Sequence, residues 1–128
     1  MKILVAEPLK PPAVREIEDT PSAMQAVVGG PIQAVYPFDA PVALICHEEG
    51  KLLGLPLNRA LYDPESGELY DIIAGTFFLC GAPPEEARLT TLTEAQIAGF
   101  SRRFAHPEII FPIGQSGGPP EKEVNDIG

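Results

Sequence analysis

The sequence predicts an α+β domain, in which a mostly antiparallel sheet of about five or six strands carries two helices packed on it. Two observations favour this class. Short apolar runs of strand length recur along the chain, whereas only two segments show the apolar spacing of a helix. The 128 residues also include 15 Pro and 12 Gly, which predict many turns and disfavour a helical bundle.

Both helices are predicted from their end signals. In the first, Thr20 has the side chain of an N-cap, Pro21 suits the first helical position, and Gly29 follows the last apolar position. In the second, Thr93 is the N-cap of a helix over residues 94–104, and Pro107 lies just beyond its end. The chain therefore has one short helix near residue 25 and one longer helix near residue 100.

The apolar runs between these helices predict the strands. The predicted strands cover residues 2–6, 13–18, 31–38, 42–47 and 72–80. The second is expected to pair antiparallel with the first, and 42–46 to be covered on both faces. Residues 72–80 form the predicted central strand, with Gly75 marking a bulge or a close backbone approach. Residues 52–61 are predicted to be irregular or a short helix, because Gly, Pro and Asn interrupt them.

Length and composition predict one domain over residues 1–106, followed by an extended and mobile segment over residues 107–128. No apolar run approaches the ~18 residues that a membrane span requires, and the first residues are too few for a secretory signal. We therefore expect a cytoplasmic protein with no membrane contact.

The net charge of −9 constrains the class of partner. Nucleic acid is an unfavourable partner because its binding requires clustered Lys and Arg. The excess of carboxylates favours either simple solubility or an acidic face that is presented to a basic partner.

Cysteine and histidine are too few and too poorly spaced to predict a metal site or a cofactor. The chain has two cysteines and two histidines, without a Cys-x-x-Cys or His-x-x-x-His pattern. Cys46 and His47 are adjacent on a predicted strand, so their side chains are expected on opposite faces and unable to form a catalytic pair. Cys80 likewise lies in an apolar run, where a thiol behaves as a small core side chain.

The candidate binding residues are Asn58, Arg59, Tyr62 and Asp71. In a structural interpretation, Asn58 caps a short helix that begins at Arg59, and Arg59 pairs with Asp71 or Asp63. In a functional interpretation, Arg59 binds a carboxylate or phosphate ligand, and Asn58 and Tyr62 orient it. Both interpretations stay open at the level of sequence.

Several segments resemble an uncharacterised family of short proteins. They are residues 2–8, 27–32, 46–51 (Cys-His-Glu-Glu-Gly-Lys), 55–60 (Leu-Pro-Leu-Asn-Arg-Ala) and 71–77 (Asp-Ile-Ile-Ala-Gly-Thr-Phe). The chain is similar to domain-of-unknown-function family 3846 over residues 2–104, and His47 stands where the family pattern has Asn. The resemblance implies an origin in Gram-positive gut bacteria, their phages and mobile elements, and it transfers no catalytic residue.

The leading functional hypothesis is a non-catalytic binding or interaction module of a mobile element or its host, which engages a host protein or a small ligand. The first alternative is an enzyme of unrecognised class that uses Asn58, Arg59 and Asp71. These three residues would then converge around a cleft. The second alternative is a structural subunit that self-associates through residues 72–79 or 109–113. Any small-molecule pocket is expected near residues 54–61 and 71–76.

Overall fold

The computed structural model describes residues 1–111, and this part of the chain contains seven strands and two helices. In chain order these are β1 (Lys2–Ala6), β2 (Ala13–Glu16), α1 (Pro21–Val28), β3 (Ile32–Val35), β4 (Val42–His47), β5 (Leu57–Tyr62), β6 (Leu69–Ala74), β7 (Phe77–Gly81) and α2 (Glu94–Arg103). The predicted α+β class is confirmed.

The strands form two antiparallel sheets. One has five strands in the order β2-β1-β7-β4-β3, and the other is the hairpin β5-β6. As predicted, β2 pairs antiparallel with β1. All six residues of β4 are buried, as the apolar run over residues 42–46 predicts.

The five-stranded sheet is covered on both faces, because its side chains alternate between two clusters. Ile3, Val5 and Ile45 lie in one cluster with residues of α1. Leu4 and Leu44 lie in the other with residues of α2 and of the β5-β6 hairpin. The hairpin and α2 therefore share one face of the sheet, and α1 covers the opposite face.

Both predicted helices are confirmed together with their caps. The Thr20 hydroxyl accepts a hydrogen bond from the Ala23 amide at 3.1 Å, and Gly29 adopts the left-handed conformation with φ of 86°. In α2, Thr93 and Gln96 exchange side-chain hydrogen bonds with each other's amides and complete a capping box.

Two predictions about the middle of the chain are wrong. Residues 52–61 were expected to be irregular or a short helix, but Leu57–Tyr62 is strand β5, because pairing with β6 overrides local propensity. The predicted extent of the strand over residues 72–80 is wrong, because Gly75, with φ of 86°, turns the chain from one sheet into the other. Its second part, β7, is the central strand of the five-stranded sheet, as predicted. Since β1 and β4 occupy both edges of β7, the β7 part of the proposed self-association surface has no free edge.

The segment after α2 is partly described. Glu108 accepts a hydrogen bond from the Ala60 amide at 3.1 Å, so this segment contacts β5. Most of the predicted tail, residues 112–128, lies outside the described residues, and the proposed boundary at residue 106 stays a prediction. Among residues 1–111, neither helix has the length and apolarity that crossing a membrane would need.

Candidate functional site

Asn58 occupies a fully buried position between the two sheets. Its side chain is 0% exposed, and its Nδ2 donates to the carbonyl oxygens of Ala6 and Gly75, each at 2.9 Å. The two acceptors are the end of β1 and the turn between β6 and β7. Asn58 therefore joins the five-stranded sheet to the hairpin, and the predicted role as a helix cap is wrong.

Arg59 is also 0% exposed, and its guanidinium binds main-chain oxygens. Nη2 donates to the carbonyls of Lys10 at 2.8 Å and Phe104 at 2.9 Å, and Nη1 donates to Asn58 Oδ1 at 2.7 Å and to the Glu7 carbonyl at 3.4 Å. Burial lowers the pKa of Arg59, and the charge of nearby Glu108 opposes that shift. An arginine remains charged in such a setting, so these carbonyls stabilise a buried cation.

The predicted ion pairs of Arg59 are therefore wrong. Asp71 instead binds Lys51, and the Asp63 carboxylate accepts hydrogen bonds from the Glu65 and Ser66 amides at 2.8 and 2.9 Å. With no exposed surface, the Arg59 guanidinium presents nothing to a ligand. Arg59 holds α2 and the loop after β1 against the hairpin.

Asp71 has a different role, at the edge of the hairpin. Its carboxylate accepts a hydrogen bond from the Ile72 amide at 2.7 Å, and Ile72 lies opposite Ala60, whose amide binds Glu108. The amides of Ala60 and Ile72 both bind carboxylates and do not bind the opposite strand of the hairpin. These two residues are therefore a non-hydrogen-bonded pair of the antiparallel ladder, and their amides point away from the partner strand. Asp71 and Glu108 therefore each occupy one outward-pointing amide, on opposite edges of the hairpin, and an occupied amide is not available for pairing with another strand.

A small cleft of about 170 Å³ lies beside Asp71. Its lining includes Gln33, Cys46, Lys51 and Ile73. Burial raises the pKa of the Cys46 thiol, and the Asp71 carboxylate raises it further, while Lys51 lowers it. Cys46 is thus a protonated thiol with little nucleophilic character. Residues 1–111 contain no group of three or more His, Cys, Asp or Glu side chains arranged to hold a metal ion.

Tyr36 is the centre of a larger concave surface that the sequence does not reveal. It directly follows β3, it is 63% exposed, and it lines two separate grooves of about 370 Å³ each. The first groove also contains Tyr70, which is 52% exposed, together with Asp39, Asp63 and Glu65. We call Tyr36 and the two grooves the Tyr36 face.

The second groove of the Tyr36 face is lined by residues from the segment after β7. They are Ala82, Pro83, Glu86, Ala87, Arg88 and Leu89. Arg88 is already paired with Asp19 at 2.9 Å and lies 3.6 Å from Glu86. Glu86 is the one carboxylate in this lining and lies against Arg88, so the excess negative charge of the Tyr36 face lies in the first groove.

Backbone hydrogen bonds favour the ionised form of one of these carboxylates, Asp63. The Ser66 and Glu65 amides lower the pKa of Asp63, with the Ser66 amide the stronger influence. Asp63 therefore contributes a full negative charge to the first groove at neutral pH.

Of the four residues predicted as a site, the structure brings together only Asn58 and Arg59. Asp71 lies at the small cleft, in the segment where a pocket was expected, and Tyr62 is 49% exposed but lines neither the cleft nor the two grooves. Tyr36 was missed because the sequence places it within a predicted strand. Only the packing shows that its ring lies on the surface between two grooves.

Comparison with known families identifies the chain. The model of the family described as domain of unknown function DUF3846 matches residues 1–105. The chain belongs to DUF3846. A search of curated proteins found no significant match, and neither did a search of solved structures.

Two of the segments that carry the resemblance to DUF3846, residues 46–51 and 71–77, contribute to the lining of the small cleft, and glycines in these segments and in residues 27–32 lie close to neighbouring atoms. A Cβ at Gly50 would lie 2.7 Å from the Ala74 carbonyl oxygen, and one at Gly75 would lie 2.8 Å from Leu55 Cδ1. A Cβ at Gly30 would overlap the ring of His47. Gly30, Gly50 and Gly75 are therefore positions where a larger side chain would clash with its neighbours.

Proposed function

We propose that this DUF3846 protein is a non-catalytic binding module that recognises a basic segment of a partner protein through the Tyr36 face. The observation that carries this proposal is the placement of one exposed tyrosine between two grooves, the first of which is lined by three carboxylates and no cation. Tyrosine is enriched among the residues that dominate protein interfaces, because its ring contributes a large contact area with few torsions to fix.

The charge of the first groove supports a basic partner. Asp39, Asp63 and Glu65 line the first groove without any lysine or arginine, and the whole chain has a net charge of −9. An arginine or lysine side chain in this groove would contact carboxylates and the faces of tyrosine rings, and both contacts favour a cation.

The geometry argues against the catalytic alternative. An enzyme using Asn58, Arg59 and Asp71 needs these three residues around one accessible cleft. Asn58 and Arg59 are instead buried and bonded to main-chain carbonyls, while Asp71 is bonded to Lys51 and Ile72. These contacts stabilise the fold, and the proposed partner would bind at the exposed Tyr36 face.

Fluorescence anisotropy with a labelled octapeptide that alternates arginine with valine tests the proposal. We expect the wild-type protein to bind this peptide and to ignore a matched peptide that alternates glutamate with valine. Substitution Tyr36→Ala is expected to weaken binding about tenfold or more, because truncating a central interface tyrosine typically has an effect of this size.

Tyr62→Ala is the matched comparison, because Tyr62 is an exposed tyrosine that lines neither groove. We expect it to bind the arginine peptide within about twofold of wild type. If Tyr62→Ala lost binding while Tyr36→Ala bound normally, the binding site would lie near Tyr62, in the region predicted from sequence. Equal binding of the arginine and glutamate peptides would overturn the proposal.

A further inference from the structure

Strand β3 is an edge strand whose outer side is unpaired among residues 1–111. It pairs only with β4, and it ends the five-stranded sheet opposite β2. Its four residues, Ile-Gln-Ala-Val, include no charged side chain, although charge is a common protection of exposed edges. By contrast, a carboxylate binds one outward-pointing amide on each strand of the β5-β6 hairpin.

The register determines which backbone groups of β3 face outwards. The Glu48 amide donates to the Pro31 carbonyl at 2.8 Å, so these opposed residues form a hydrogen-bonded pair just before the strand. Hydrogen-bonded and non-hydrogen-bonded pairs alternate along an antiparallel ladder. Gln33, two residues after Pro31, therefore bonds to β4, while the N–H and C=O groups of Ile32 and Ala34 point to the open side.

We propose that the basic partner segment binds as an extended strand along this open edge of β3. The proposal deepens the proposed function, on which it rests, by stating how the partner backbone is held. Main-chain hydrogen bonds to Ile32 and Ala34 would supply sequence-independent affinity. Because β3 leads directly into Tyr36, the same strand would place basic side chains at the Tyr36 face.

A second copy of this chain is a poorer occupant of the same edge. In a symmetric antiparallel pairing of two β3 strands, the Tyr36 end of one copy lies beside the Pro31 end of the other. Glu48 is paired with Pro31 and is followed by Glu49, so this contact would bring carboxylates towards Asp39 and Asp63. Like charges disfavour it, whereas a basic segment is complementary at both ends.

Ala34→Pro tests the backbone contact directly. Proline removes the N–H group that points outwards at Ala34 and leaves the bonds of Gln33 to β4 in place, and edge strands tolerate such a residue. We expect Ala34→Pro to weaken binding of the arginine–valine octapeptide at least fivefold or so. Ala34→Val keeps the N–H and is the matched control, with binding expected within about twofold of wild type.

Amide hydrogen exchange of the wild-type protein provides an independent readout that does not depend on a variant folding. Saturation with the octapeptide is expected to slow exchange at Ile32 and Ala34 by tenfold or so. Unchanged exchange at both amides, or slow exchange at both before any peptide is added, would overturn strand addition.

The two proposals fail in different ways. If Tyr36→Ala weakens binding while Ala34→Pro does not, the Tyr36 face stands and the strand-addition mode is wrong. If the wild-type protein does not bind the octapeptide at all, both are wrong.

Discussion

Asn58 and Arg59 are neighbours on β5, yet Arg59 Nη1 donates to Asn58 Oδ1 at 2.7 Å. Successive residues of a regular strand point to opposite faces. The β5-β6 register shifts between Leu57 and Arg59, which identifies Asn58 as the extra residue of a bulge. The irregularity lets both side chains enter one buried network that joins β1, the turn at Gly75 and the end of α2.

Removing the guanidinium is expected to destabilise the protein strongly. Arg59→Ala removes the donors of the Lys10 carbonyl and of the buried Phe104 carbonyl, and we expect the free energy of unfolding to fall by about 3 kcal/mol. Urea unfolding followed by circular dichroism measures the change. Arg15→Ala is the control, because Arg15 is exposed on β2 and its loss should cost less than about 0.5 kcal/mol. Equal unfolding midpoints for wild type and Arg59→Ala would refute this role.

Gly30 and His47 are expected to be energetically coupled. A Cβ at Gly30 would overlap the His47 ring, so Gly30→Ala is expected to cost about 1–3 kcal/mol. His47→Asn shortens the side chain and keeps an acceptor for the Glu49 amide, which now donates to His47 Nδ1 at 3.0 Å. In that background the cost of Gly30→Ala should shrink. A double-mutant cycle by urea unfolding measures the coupling, and strictly additive effects would show that the close approach is unimportant.

Both thiols are expected to resist modification in the folded protein. Burial raises the pKa of Cys80 to about 12, with a smaller contribution from Asp19, and also raises that of Cys46. At pH 8 both are protonated, so Ellman's reagent should react slowly until a denaturant is added. Rapid reaction of either thiol in the folded protein would contradict this expectation.

The raised pKa of Cys80 also predicts a loss of stability in alkali. The folded protein holds this proton more tightly than the unfolded chain, so the stabilisation is complete below the ordinary pKa of 9.0 and declines as pH rises towards 12. As the pH is raised between these two values, the urea midpoint of unfolding should fall less steeply for Cys80→Ala than for the wild-type protein. The same dependence of the midpoint on pH in both proteins would show that ionisation of the Cys80 thiol does not contribute to the loss of stability.

Binding at the Tyr36 face is expected to depend on salt. Raising the salt concentration from about 0.05 to 0.5 M should weaken binding of the arginine–valine octapeptide several-fold, because the groove carboxylates are exposed and readily screened. Asp39→Asn and Glu65→Gln remove charges of the first groove and should reduce this dependence. An unchanged salt dependence in the double variant would place the charge recognition elsewhere.

The helices and most strands could be predicted because their signals are local. Thr20, Gly29 and Thr93 act on backbone groups within a few residues, so sequence alone identifies both helices. β5 was missed because its strand conformation depends on pairing with β6, to which it is joined by the intervening turn. The division of the strand at Gly75 could not be predicted either. A glycine within an apolar run indicates an irregularity, but it does not distinguish a bulge within one strand from a turn between two sheets.

The site was harder to predict because burial decides its chemistry. The residue types at Asn58 and Arg59 suit both ligand binding and a structural network, and only their complete burial separates the two. Tyr36 carries no local motif, and its position between two grooves follows from the packing of segments far apart in sequence, including Tyr70 and Arg88.

Chemical-shift mapping of the ¹⁵N-labelled protein with the arginine–valine octapeptide tests recognition at the Tyr36 face residue by residue. We expect the largest changes at Tyr36, Asp39 and Tyr70 and at Ile32 and Ala34 of β3, with negligible changes at the buried Asn58 and Arg59. Changes centred on Asn58, Arg59 and Asp71, with the Tyr36 face unaffected, would contradict this expectation.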